Sequence, residues 1–324
     1  MKLQILIPQY KETDEIVKPM LDSLAIQQNV DLEHDIGVII VNDGTDVFLS
    51  DELRSSYPFK IEYYKNEHKG VSATRNACLD HATADYVMFS DADDMFFNAC
   101  GLWIIFQAIN EGFDSFVSVF VEETRFPDTN IPTYINREMD STFVHGKVHR
   151  RKYLLDNNIR WNESLTIHED SFFNIQCQRL STNVKYCQAP FYLWKWRDSS
   201  VCRHDPKYIL KTFNNMLDSS DACVQEFIKR NKITTAKQLS TAMIFDCYYT
   251  MNKKEWLDQE NQEYRHATEL RFKDYYLKYK EYFETIDEYE KNNIIVGIKN
   301  RMFQEGLMME SITFNDWIQE ILKL

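Results

Sequence analysis

Tyr86-Val87-Met88-Phe89-Ser90-Asp91-Ala92-Asp93-Asp94 is the stretch that decides how the chain is read. Its first four residues form a short, continuous apolar run, the pattern of a parallel strand buried on both faces. In an open α/β sheet, ligands bind beyond the carboxyl ends of such strands. Here that end delivers the carboxylates of Asp91, Asp93 and Asp94. Asp91 and Asp93 share one face if the extended conformation continues. Close carboxylates repel unless a cation neutralises them, and all-oxygen donors suit hard divalent ions such as Mg2+ or Mn2+. The stretch therefore fits a metal site that grips a diphosphate. It also fits a polar turn whose Asp residues cap a following helix.

Working outward, residues 1–100 alternate strand and helix. Leu3-Gln4-Ile5-Leu6-Ile7 reads as a strand stopped by Pro8, and Ile16 to Ile26 as a helix capped by Thr13 or Asp14. Gly37-Val38-Ile39-Ile40-Val41 reads as a buried strand ending in Asn42-Asp43-Gly44-Thr45. Phe59 to Tyr64 is a third strand, Val71 to Ala82 a helix, and Tyr86 to Phe89 the fourth strand. This alternation predicts an α/β fold with a doubly wound, mostly parallel sheet flanked by helices. Sites are then expected at the strand ends near Pro8, Asp43 and Asp91.

Composition sets limits on function. The chain has 324 residues, 44% of them hydrophobic, with only 8 Gly and 7 Pro. That is enough for one large core or two modest ones, without linkers or repeats. No run reaches the roughly 18 apolar residues of a membrane span. The amino-terminal stretch lacks the features of a signal peptide and reads as a first strand. Seven cysteines, in no metal-binding spacing, point to reduced thiols and a cytoplasmic location. Residues 205–324 hold 17 Lys and Arg against 20 Asp and Glu, so most of the net charge of −13 lies before them. That sign argues against a duplex nucleic acid partner. The local run His149-Arg150-Arg151-Lys152 reads as a solvated helix face or a phosphate contact.

Four segments, in order, resemble the family 2 glycosyltransferases of the GT-A fold. Ile7-Pro8-Gln9-Tyr10-Lys11-Glu12 is similar to the family's opening IP-x-YNE, and Val41-Asn42-Asp43-Gly44-Thr45 to its DDGS turn. Asn66 to Asn76 is similar to its N-x-G-x-S-x-ARN helix start, and Asp91-Ala92-Asp93 to its DXD signature. The match continues more loosely to Val201, which makes residues 1–204 the expected GT-A nucleotide-sugar-binding and catalytic domain. Residues 205–324 lie beyond it.

The resemblance implies a hexosyltransferase-like enzyme that uses a nucleotide-sugar, by family frequency a UDP-sugar, with inversion. It implies donor contacts from Pro8, Tyr10, Glu12, Asp43, Arg75 and Asp91. It places Mn2+ or Mg2+ on Asp93, with Asp91 on the metal or the ribose. Asp43 could instead make an Asx-type turn, Arg75 a surface ion pair, and Asp94 a cap. Ile167-His168-Glu169-Asp170 resembles the family's acidic pair at a helix start, implying Asp170 as the base and Glu169 as second choice. The macrodipole alone would also favour acids there. His168 has a pKa range suited to base work, or is structural, or lines the sugar pocket. Tyr192 to His204 resembles the loop that closes on the diphosphate, implying Arg197, Ser199 and Ser200 as phosphate contacts and His204 as a further metal or phosphate ligand. Trp194 and Trp196 alternate like strand residues, so that at least one belongs to a core.

Rival readings are a phosphohydrolase, which would want Thr or Val where Met95 stands, and a nucleotidylyltransferase, which would want a Gly-rich loop after the first strand. A catalytically dead sugar-nucleotide-binding protein is the third. Enzymes with this core act on glycans, wall polymers, lipid-linked sugars, proteins and modified bases, so the acceptor stays open. In 205–324 apolar residues recur at helical spacing. Tyr275, Tyr276, Tyr279, Tyr282 and Phe283 form a stripe, and Thr313 can cap a last helix. These helices either recognise acceptor, pair copies into a homo-oligomer, or pack on the catalytic domain. No basic membrane-surface helix is apparent.

Overall fold

The computed structural model describes residues 1–126, 129–139, 142–198, 208–258, 260–304 and 313–324. Two compact units divide the chain, Met1–His204 and Asp205–Leu324. In the first, strands β1 (Leu3–Gln9), β2 (Ile36–Asn42), β3 (Lys60–Lys65) and β4 (Tyr86–Phe89) run parallel. The helices α1 (Asp14–Ala25), α2 (Asp51–Ser55) and α3 (Val71–His81) lie between them in sequence. Then come β5 (Met95–Phe96), α4 (Gly101–Glu111), β6 (Ser115–Ser118), β7 (Phe120–Arg125) and β8 (Pro132–Arg137). The unit closes with β9 (Lys147–Arg150), α5 (Arg151–Asp156), α6 (Glu169–Arg179), β10 (Val184–Cys187) and β11 (Tyr192–Trp194).

The main sheet has the order β10-β6-β9-β4-β1-β2-β3, and only β9 runs antiparallel to its neighbours. A smaller sheet has the order β5-β11-β7-β8. The period of two in a strand explains how the apolar runs are used. Leu3, Ile5 and Ile7 of β1 join a core with Val17, Met20 and Leu24 of α1 and Leu102 and Ile105 of α4. Leu6 faces the other way, into a core with Leu79 of α3, Leu154 of α5 and Phe173 of α6. Helices on both faces of a central parallel sheet require strands that are largely apolar.

The end of the first strand and the cap of the first helix differ from the sequence reading. The first strand does not stop at Pro8 but continues to Gln9. Along β1 the even-numbered residues bond toward β4, since Leu6 O accepts Ser90 N at 3.0 Å, and Gln9 O bonds toward β2 through Asp43 N at 2.8 Å. Proline's missing N–H therefore faces the side where β4 has already ended, and costs no ladder bond. Thr13 stands at the N-cap of α1 but its hydroxyl donates to Glu15 at 2.5 Å, while the Asp14 carboxylate accepts from Ser50 N and Oγ.

The second unit contains α7 (Tyr208–Lys211), α8 (Phe213–Lys229), α9 (Ile233–Met251), α10 (Lys254–Leu257), α11 (Gln262–Glu284), α12 (Glu288–Gln304) and α13 (Phe314–Lys323). The tyrosine stripe of α11 turns inward. Tyr275, Tyr276, Tyr279 and Phe283 are buried with Phe245 and Tyr248 of α9 and Phe314 and Trp317 of α13. Thr313 caps α13, its hydroxyl accepting Asp316 N at 3.1 Å. No helix among the described residues is long and apolar enough to cross a membrane. Six described cysteines are free thiols, four of them buried.

Candidate active site

The tips of β1, β2 and β4 come together at a cleft of about 320 Å3, a volume suited to a small ligand. Its lining includes Pro8, Tyr10, Glu12, Asp43, Asp91, Asp93 and Arg197, residues the sequence spread over almost two hundred positions. His68, Gly70, Val71 and Thr74 complete one wall.

Asp43 is anchored rather than free. Its carboxylate accepts Lys69 N at 2.9 Å and Gly70 N at 3.1 Å, and lies 2.8 Å from His68 Nδ1. It thereby fixes the turn that starts α3. The Asx-type turn here belongs to its neighbour, with Thr45 N donating to Asn42 Oδ1 at 2.8 Å. Gly44 permits the approach: its φ is +73°, and a Cβ there would stand 2.4 Å from His68 N. The His68 ring stacks on Tyr10 at 5.0 Å between centroids, putting an aromatic pair beside the Asp43 carboxylate.

Arg75 is not a surface ion pair, since it is only 3% exposed. Its Nη2 donates to Asp91 Oδ1 at 2.9 Å, and its Nη1 to Glu169 Oε1 at 3.0 Å and Asp170 Oδ1 at 2.8 Å. The guanidinium lies 4.4 Å over the Trp161 ring. One cation thus ties the β4 tip to the start of α6. Three carboxylates share it, so full ionisation would leave two buried negative charges uncompensated. The cluster resolves this unevenly. At Asp91 burial pushes the pKa up, but Arg75 and then His145 outweigh it and hold it below the ordinary carboxylate value. At Asp170 burial wins over Arg75, with Glu169 and Asp91 adding repulsion, and the pKa is pushed up to about 7. Val144 N donates to the second Asp170 oxygen at 3.1 Å.

Arg197 does not stand as a free fork toward the cleft. Its Nη1 lies 3.1 Å from Asp93 Oδ2 and 3.3 Å from Glu12 Oε1. Glu12 in turn accepts Tyr10 N at 2.7 Å and Lys11 N at 3.2 Å. Burial, and then the charge of Asp91, raise the Asp93 pKa against the pull of Arg197.

Asp94 is not a simple cap. It is fully buried, accepting the Tyr192 hydroxyl at 2.6 Å and Lys195 N at 3.0 Å. Burial, then Asp91 and Asp93, raise its pKa well above the ordinary range. Ligand atoms of Asp91, Asp94 and His145 lie within 4.8 Å of one another, the one such three-residue group among the described residues. The Asp94 oxygens are already committed to Tyr192 and Lys195, whereas Asp91 and Asp93 face the cleft. Where a cation must reach a diphosphate, the cleft-facing oxygens suit the hard-ion donor set. Burial, and then the neighbouring Asp91 charge, have raised the Asp93 pKa, a penalty on its ionised form that a divalent charge would relieve.

Other expectations change. Ser199, Ser200 and His204 lie outside the described residues. His168 occupies the N-cap position of α6 in the left-handed region, φ 63°. The basic run is split between β9, which holds His149 and Arg150, and the start of α5, where Lys152 lies on an exposed helix face. His149 is buried on β9 beside Ser115 Oγ at 2.9 Å, its pKa lowered to about 3 by burial and then by Lys147. Arg150 pairs with Asp114, Arg151 donates to Ala84 O at 3.0 Å, and Lys152 pairs with Asp156 at 2.8 Å. Trp194 packs against the first core from the end of β11, while Trp196 lies past the strand. His68, His145, Trp161 and Tyr192 were not singled out. His68 and Tyr192 stood inside segments quoted above, but the part each of the four plays comes from tertiary packing.

The sequence profile described as Glycosyl transferase family 2 matches residues 4–174. The chain is 24% identical over 220 residues to the uncharacterized glycosyltransferase EpsJ of Bacillus subtilis (strain 168), covering 61% of this chain and 62% of that protein. It is 26% identical over 206 residues to the poly(ribitol-phosphate) beta-N-acetylglucosaminyltransferase TarS of Staphylococcus aureus (strain Mu50 / ATCC 700699), covering 60% of this chain and 35% of TarS. The match therefore spans about three-fifths of EpsJ and about a third of TarS. The crystal structure of S. aureus TarS 1-349 in complex with UDP-GlcNAc superposes with a TM-score of 0.63 at 17% identity, over 85% of this chain and 80% of that one. At that identity the likeness establishes the fold.

Proposed function

Because this chain belongs to glycosyl transferase family 2, we propose that it moves a sugar from a UDP-sugar to a hydroxyl of a glycan or wall polymer, with inversion and with help from a divalent cation. One observation carries the reading: Arg75 joins the donor cleft, through Asp91, to a carboxylate whose pKa stands near neutrality, Asp170.

The residues divide the work by position. Tyr10, His68 and Asp43 form the wall that would receive the nucleobase and ribose. The amino-terminal end of α3, from Gly70, gives that wall backbone N–H groups. Asp93, with Asp91, would hold Mn2+ or Mg2+, which would supply positive charge to the departing diphosphate. Arg197 would move from Asp93 and Glu12 toward phosphate once that cation took over Asp93. The Asp170 carboxylate takes the acceptor proton as the acceptor oxygen bonds to the anomeric carbon. The electron pair of the breaking bond leaves with the nucleoside diphosphate. A base with pKa about 7 is ionised at working pH yet still basic enough to matter. Glu169 shares Arg75 and keeps Asp170 in register.

Incubation with Mn2+ and a panel of nucleotide sugars tests the reading. Release of UDP that requires acceptor supports it. Release of inorganic phosphate or pyrophosphate would move the chain to the phosphohydrolase or nucleotidylyltransferase class. Binding without turnover would indicate a dead site. Asp170→Asn should keep UDP affinity and lose transfer.

A further inference from the structure

The helical unit contains one element that its own core does not account for. α12 has 17 residues, of which Met302 is its one buried side chain. A helix of that length is marginal in water, and proteins stabilise such helices through an apolar face packed on something. Beneath α12 lies a groove of about 470 Å3 lined by Ala242 and Phe245 of α9 and Ile294 and Ile298 of α12, so the inward packing is loose. Outward, Tyr289 is 78% exposed, Val296 55% and Phe303 84%. These three are spaced by seven, which places them in one line along the helix. Gly297, next to the middle of that line, has open space where a Cβ would stand.

We infer that α12 is a self-pairing surface on which a second copy of this chain docks its own α12, antiparallel, about a two-fold axis at Val296. The symmetry of the stripe supports this occupant. With Val296 on the axis, Tyr289 of one copy meets Phe303 of the other twice over, as a closed isologous interface requires. Charge supports it too. The outer face of the helix begins with Glu288 and carries Lys299 near its end, while Glu290 lines the inner groove and Arg301 lies over the Tyr249 ring. Antiparallel pairing therefore sets acidic halves against basic halves and opposes the helix dipoles. A two-fold axis makes each flank face the same flank of the second copy. Glu288 and Lys299 share a flank, and across the axis they are offset by about 7.5 Å along the helix at 1.5 Å per residue. Two extended side chains span that gap. Glu288 also bonds Lys291 at 2.8 Å, which keeps its carboxylate at the surface. A membrane surface is a poorer occupant, because the line is flanked by Asn292, Asn293 and Asn300 rather than by a basic belt.

Sedimentation velocity of the full chain, up to about 100 µM to include weak interfaces, should show a concentration-dependent dimer. Val296→Glu, an exposed position that leaves the fold intact by circular dichroism, should give monomer throughout. Lys299→Glu should weaken dimerisation about tenfold, and adding Glu288→Lys should restore it. Under mild oxidation, Val296→Cys should cross-link to itself, whereas Tyr289→Cys and Phe303→Cys should cross-link only when mixed. A monomeric wild type, a dimer indifferent to Val296→Glu, or self-linking of Tyr289→Cys would each overturn the inference.

Discussion

Replacing Arg75 by Met tests the electrostatic centre of the site. The guanidinium donates three bonds of 2.8–3.0 Å to three carboxylates, two of them mostly buried, and lies over Trp161. Bonds to charged groups contribute about 1.5–3 kcal/mol each, and the ring contact about 0.5–2 kcal/mol. These do not add, because the same cation serves all of them. Removing one side of a buried pair costs about 3–5 kcal/mol, and with Asp91 partly open to water about 4 kcal/mol at pH 8 is expected. With m of about 2–3 kcal/mol per M, the urea midpoint of residues 1–204 should fall by about 1.5 M. The pH dependence separates this from lost packing. Without Arg75, which lowers both, the native pKa values of Asp91 and Asp170 rise above those of the unfolded chain. A carboxyl with a raised native pKa loses stability as pH climbs past its unfolded value near 4. The deficit should therefore be large at pH 8 and about half as large at pH 5. Urea titrations of both proteins at both pH values, followed by tryptophan fluorescence, provide the measurement. A deficit below about 1 kcal/mol, or one equal at the two pH values, would refute the shared-cation account.

Three further outcomes follow from the same geometry. The pH profile of kcat/KM should rise with an apparent pKa near 7, falling about tenfold per unit below it, as Asp170 takes up its proton; a flat profile between pH 5 and 8, read by UDP release, removes Asp170 from the base role. Gly44→Ala forces a Cβ against His68 N at φ +73° and should cost about 2–4 kcal/mol while raising donor KM, checked by thermal unfolding and initial rates. Tyr192→Phe strips Asp94 of its 2.6 Å donor and should destabilise by about 1–3 kcal/mol, more at pH 8 than at pH 5, since an ionised Asp94 has most need of it.

What the sequence disclosed, and what it hid, follows from the range of the interactions. The strands β1, β2 and β4 were legible because a strand covered on both faces is apolar at most positions, and their tips located the cleft. The inserted antiparallel strand β9 was not. Of the strands beyond it, β6 buries Ser115 and Ser118 beside its apolar residues and β10 is at most half-buried, so neither leaves a clean periodicity. Acidic residues were easy to list and hard to assign. Asp43 and Asp94 look alike in sequence, yet one anchors the turn before α3 and the other ties β4 to β11 through a tyrosine about a hundred residues away. The basic run 149–152 divides because burial of His149 and the Arg150–Asp114 pair are set by tertiary neighbours, whereas Lys152, paired with Asp156 one turn on, is the solvated helix face its local charge suggests.

Arg75 also bears on how donor and acceptor chemistry could be timed. Its two terminal nitrogens hold carboxylates with opposite shifts, Asp91 lowered and Asp170 raised, through one rigid planar group. A positive charge arriving beside Asp91 draws on that carboxylate and lessens its claim on the guanidinium. More of the Arg75 charge is then available to Glu169 and Asp170, and the Asp170 pKa should fall. Neutral donor groups reaching the cleft would have no such effect. Coupling of this kind would raise the ionised fraction of the base as the donor and its cation are seated. It requires that the apparent pKa of the rate profile be lower in kcat, which reports the loaded enzyme, than in kcat/KM for the donor, which reports the free one. Equal values in the two profiles would mean that Arg75 holds the two halves together without relaying charge between them.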